Sequence, residues 1–99
     1  MHQLQHLTNA HVQPVLNAAD ASALRAAVEA IPQAALCELV AVMVLGRGDN
    51  GSDFESILEN ARDSYADSSQ RDFAISYVSG KAQTQEYVRN GLTQVHLAN

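Results

Sequence analysis

The chain has 99 residues, 46% apolar and 17% charged, with a formal net charge of −5 at pH 7 and a single cysteine. These are the values of one small globular domain and not of a disordered tail. They argue against nucleic acid as a partner, because phosphate neutralisation needs clustered cations and this chain has one Lys and five scattered Arg, and no apolar run approaches the roughly 18 residues of a membrane span.

The N-terminus "MHQLQHLTNA" lacks the basic start and apolar middle of a signal peptide, so the expected location is cytoplasmic. Thr8 can cap a helix over "NAHVQPVLNAA", although Pro14 stands where it would kink one. His2 and His6, four apart, would share a helical face, but no third ligand is in range. His11 and His96 are isolated. No metal site is expected from any of them.

From Asp20 the text reads as two helices broken at "IPQ". Asp20 or Ser22 caps the first, and Leu24, Ala27, Val28 and Ile31 recur at helical spacing. Pro32 reads as the first residue of the second, where its missing N–H costs nothing. That second helix, about 33–45, is "QAALCELVAVMVLG", apolar nearly all round with one charge, Glu38. Such a helix belongs at the centre of a bundle, covered by the others or by a second copy of the chain, which makes a homodimer one expectation. Cys37 lies within it and reads as a small buried hydrophobe.

The corner "LGRGDNGSDFES" follows. Gly46 reads as the left-handed residue that stops the central helix, and Ser52-x-x-Glu55 as the capping box that opens the next. Phe54, Ile57, Leu58, Ala61 and Tyr65 then mark an amphipathic helix. Ser69-x-x-Asp72 resembles a weaker capping box before "FAISYVSG", with Gly80 as stop. A last helix starts at Gln83 or Thr84, with Gly91 as stop and "LTQVHLAN" as a trailing turn. The fold expected is all-α: a single domain over 1–99, a compact bundle of five or six short helices around the central one.

Two features carry the functional expectations. Between Asp49 and Asp72 seven acids face Arg62 and Arg71, a balance of −5, while the four acids and four bases elsewhere cancel. Glu55, Glu59, Asp63 and Asp67 stand at successive i+4 positions, and like charges so spaced disfavour a helix by about 0.2–0.5 kcal/mol each. They form a candidate docking face for a basic partner. Arg47, Gly48, Asp49 and Asp53 form a candidate anion- or partner-binding corner just ahead of a helix N-terminus. A calcium-loop reading of this corner fails because Gly51 and Phe54 stand where a carboxylate and the required glycine should be. The adhesion tripeptide Arg47-Gly48-Asp49 and the glycosylation acceptor Asn50-Gly51-Ser52 have no role in a cytoplasmic chain. No triad, phosphate loop or zinc motif is present, and no cofactor is implied. The reading is therefore a protein-binding or scaffolding module, with small-anion binding or hydrolysis at the Arg47 to Asp53 corner as the alternative.

The segments "LVAVMVLGRGDNGSDFESILENARD" and "AISYVSGKAQTQEYVRNGL" together resemble the bacterial domain-of-unknown-function family 3775 over about residues 36–92. The elements of its pattern are Leu45 to Asp49, Phe54 opening an acidic helix, Tyr77 with Gly80, and Tyr87 with Gly91 and Leu92. Phe54 stands where the family usually has tryptophan. The resemblance implies an all-helical bacterial domain and no reaction.

Overall fold

The computed structural model describes residues 2–48, 53–65 and 67–98. Among these the elements run β1 (His2–Thr8), α1 (Asn9–Asn17), α2 (Ala21–Glu29), α3 (Gln33–Gly46), α4 (Phe54–Tyr65), a 3-10 turn (Ser68–Gln70), α5 (Arg71–Ser79), α6 (Thr84–Leu92) and β2 (Val95–Ala98). The molecule is mostly helical, as its patterning predicts, and measures 31 × 28 × 26 Å. No described helix is long and apolar enough to cross a membrane.

Helix α3 is the centre. Every residue from Ala35 to Met43 is buried, because α6 and α4 cover it on different sides while β1 and α5 pack along it. Pro32 does not open α3 as expected. It is the N-cap, one position earlier, with its carbonyl accepting from Leu36 N.

The other end of α3 corrects the role of Gly46. The left-handed residue is Gly48, at φ 91°, while Gly46 remains helical and serves a close approach. A Cβ built on Gly46 would lie 1.7 Å from the carbonyl oxygen of Tyr87, and one on Gly91 would lie 2.1 Å from that of Val42. Helices α3 and α6 thus touch backbone to backbone at two glycines. Gly91 is therefore not a helix stop either. It is buried inside α6, which runs on to Leu92.

The helix ends are held by side chains from distant elements. Arg71 donates to the carbonyls of Glu29 and Ile31, each at 2.7 Å, closing α2. Gln85 donates to those of Val15 and Ala18 at 2.9 Å, and Arg89 to that of Leu16 at 3.2 Å, closing α1. Cations at helix C-termini also oppose the negative end of the dipole. At N-termini, Asp20 accepts from Ala23 N as expected. Thr8 caps α1 with His11 answering, its N–H donating to Nδ1 at 3.0 Å. Helix α1 accommodates Pro14 in its second turn.

The termini depart from an all-helical picture in a minor way. The trailing residues form β2, a parallel partner of β1, with His2 opposite Val95 and Thr8 opposite Ala98. Consequently His2 and His6 lie on a strand and share no helical face.

Candidate functional site

The sequence singles out Arg47, Gly48, Asp49 and Asp53, and the structure gives the described ones separate tasks. Gly48 makes the turn, its N–H donating to the Leu45 carbonyl. Asp53 caps α4 by accepting from Ser56 N at 2.8 Å, and that bond holds its carboxyl below the usual range. Among the described residues the cap of α4 is thus Asp53. Ser52 and Asp49 lie outside the described residues. Arg47 reaches α5, where its Nη1 donates to the Tyr77 hydroxyl at 3.1 Å.

That contact leads to a cleft. Val40 and Val44 of α3 form its floor with Ile57 and Ala61 of α4. Asn60, Ser64 and Tyr65 form one wall and Tyr77 of α5 the other, around a volume of about 250 Å³. The rings of Tyr65 and Tyr77 are stacked, 6.3 Å between centroids and 28° apart. Burial, with the neighbouring Tyr77, pushes the Tyr65 hydroxyl above its usual pKa. Lys81 Nζ lies 4.8 Å from the centroid of the Tyr77 ring, a cation–π distance. One turn before Tyr77 on α5, Phe73 is 67% exposed and the exposed large hydrophobic residue of the chain's described part. Residues four apart share a helix face, so Phe73 stands beside Tyr77 on α5, while Lys81 reaches the same ring from beyond the helix's end at Ser79.

Helix α4 presents its acids on the other flank. Glu55, Glu59 and Asp63 are exposed, but Asp67 does not extend the row. Helix α4 ends at Tyr65, and Asp67 accepts from Ser69 N at 3.0 Å to cap the 3-10 turn. This replaces the capping box expected at Ser69 and Asp72, and α5 starts at Arg71 with no side-chain cap. Glu55 and Glu59 instead line a dip of about 320 Å³ against β1, with His2, Gln5, Glu38 and Arg62. Among the described residues no three His, Cys, Asp or Glu side chains gather as a metal site requires.

Glu38 is the buried charge of the core, 1% exposed. Its Oε1 accepts from His6 N at 2.8 Å and Leu7 N at 2.7 Å, and its Oε2 from Gln5 N at 3.0 Å. Three successive amides around an anion form a backbone nest. The strand can turn them inward because its pairing with β2 is irregular between Gln3 and Thr8. Cys37 beside it is buried, as expected, and burial raises its thiol pKa despite the nearby Arg62.

Sequence reasoning missed both the nest and the cleft. Glu38 could have been flagged as the one charge in an apolar helix, a position at which a carboxylate must find donors. The cleft joins Val44, Tyr65 and Tyr77 from three helices, and nothing in their spacing announces that.

A family model described as protein of unknown function (DUF3775) matches residues 21–97, from the start of α2 into β2. No curated protein and no solved structure matches the chain significantly. The motif residues noted in the sequence meet in space: Gly46 against Tyr87 and Gly91 against Val42 across α3 and α6, and Arg47 against Tyr77.

Proposed function

Taking as premise that the chain belongs to the DUF3775 family, a family that brings no reaction with it, we propose that it is a protein-binding module. Its docking surface is the cleft between α3, α4 and α5 together with the exposed ring of Phe73. The observation that carries this reading is Phe73. An aromatic ring left in water beside an aromatic-walled cleft resembles the centre of a protein interface, where such side chains concentrate.

Size separates this reading from small-ligand binding. Sites that enclose small molecules usually measure about 300–1,000 Å³, whereas this cleft holds about 250 Å³. That suits one side chain of a partner. Its lining has no carboxylate, histidine or cysteine, so the reading does not extend to hydrolysis.

Partner capture from the native host tests it. A partner retained by the wild-type protein should be lost with Phe73→Ser and with Ser64→Trp, which fills the cleft from an exposed position, while circular dichroism stays unchanged. Glu59→Gln with Asp63→Asn, on the opposite flank of α4, should leave retention intact. A partner lost only with the acid-to-amide pair would move the docking surface to the acidic flank.

A further inference from the structure

We infer that the partner at this surface is a second copy of the chain, packed about a two-fold axis with its α5 antiparallel to the first. The inference rests on the cleft and Phe73 being the docking surface, and it names the partner that the surface fits.

One face of α5 is complementary to itself. Phe73, Ser76, Tyr77 and Gly80 follow the spacing i, i+3, i+4, i+7, which places them on one side of the helix and its C-cap. Phe73, Ser76 and Gly80 are exposed, and Tyr77 is half-buried in the wall of the cleft. Large and small side chains therefore share the face. A two-fold contact uses the same patch on both copies, so that patch must supply both the projection and the space that receives it. With the axis between Ser76 and Tyr77, Phe73 of each copy comes over Gly80 of the other, and Ser76 lies beside Tyr77. No bulky side chain then stands head-on to either ring, and each Phe73 comes within reach of the other copy's tyrosine wall, a pairing that aromatic rings favour.

The same register pairs opposite charges. Asp72 is exposed in the first turn of α5, and Lys81 follows the last turn with its Nζ 4.8 Å from the centroid of the Tyr77 ring. Antiparallel packing brings the acid of each copy toward the lysine of the other, one pair at each end of an aromatic centre. Lys81 also shares a dip with Asp20, but among the described residues neither Asp72 nor Lys81 takes part in an ion pair within the chain. The lining of the cleft carries no charge, and Glu55 and Glu59 line the dip on the opposite flank of α4. Those two acids, which would hold two copies apart, thus lie away from the contact.

Sedimentation of single and mixed variants of the intact chain tests the inference. Wild type should be a dimer at high protein concentration. Phe73→Ser, at an exposed position, should weaken the dimer about tenfold or more through lost apolar contact. Asp72→Lys sets lysine against lysine at both ends and Lys81→Asp sets acid against acid, so each alone should weaken it about tenfold. Mixing the two should restore a dimer with one chain of each, because every pair is again opposite in sign. A loosened fold gives no such rescue. A mixture that stays monomeric would overturn the antiparallel pairing. A wild type that is only monomeric, or a dimer that persists with Phe73→Ser, would overturn the second copy as partner. Capture from the native host that still depends on Phe73 would then keep the docking surface for a different partner, and capture indifferent to Phe73 would remove both readings.

Discussion

Helix α3 is covered by α6 on one side and by α4 with α5 on another, and the two covers approach it to different depths. Toward α6 the backbones touch at Gly46 and Gly91, with no room for a methyl group. Toward α4 and α5 the helices meet through side chains and leave a cleft over Val40 and Val44. One helix thus serves as the rigid half of the molecule and as the floor of its open half. Interfaces without voids resist change, whereas open ones accept a visitor at small cost. A binding surface on the second side is consistent with that division.

The sharpest way to break the comparison is to add one methyl group to the tight side. Gly91→Ala should destabilise the protein by at least about 3 kcal/mol, since backbone must move to admit the Cβ. A urea midpoint close to wild type would mean that α3 and α6 are not in backbone contact.

A smaller effect sharpens it with two identical residues. Val42 faces Gly91, and Val40 lies two residues earlier beneath the cleft. Val42→Ala should cost about 2 kcal/mol through lost burial and a trapped void. Val40→Ala should cost about 1 kcal/mol, because the cleft already opens above it. Equal losses would erase the distinction.

The smallest effect is acidic. The Asp53 carboxyl has its folded pKa lowered from 3.8 by the bond from Ser56 N. Its capping contribution is therefore present above the unfolded value and lost as pH falls through the still lower folded one. Below about pH 4, amides of α4 should lose hydrogen-exchange protection before those of α3 and α6. Asp53→Asn, an equally good cap, should remove this pH dependence.

Much of the fold was legible because it follows from periodicity. The all-round apolar run 33–45 could only be central, and Phe54, Ile57, Leu58 and Ala61 all turn inward. What was not legible depends on partners far along the chain. Gly46 and Gly91 look like helix stops in isolation, and only their opposing backbones reveal a packing role. The strand at Val95 to Ala98 exists because β1 lies beside it. At the candidate corner Arg47 stood out in the sequence, but Tyr77, whose hydroxyl it meets, was visible only as a motif residue. Phe73 gave no warning, since one exposed aromatic position breaks no pattern.

Glu38 also bears on how the two ends of the chain are joined. The two terminal strands join residues such as Gln3 and His96, 93 positions apart. Closing so long a loop costs about 2 kcal/mol more than closing one of ten residues, and a two-strand ribbon returns little by itself. The nest around Glu38 supplies a nearer anchor on α3, some thirty positions away, and holds β1 to the helices without help from β2. The buried carboxylate thus fixes one strand of the ribbon to the helices, and the other has only to pair against it.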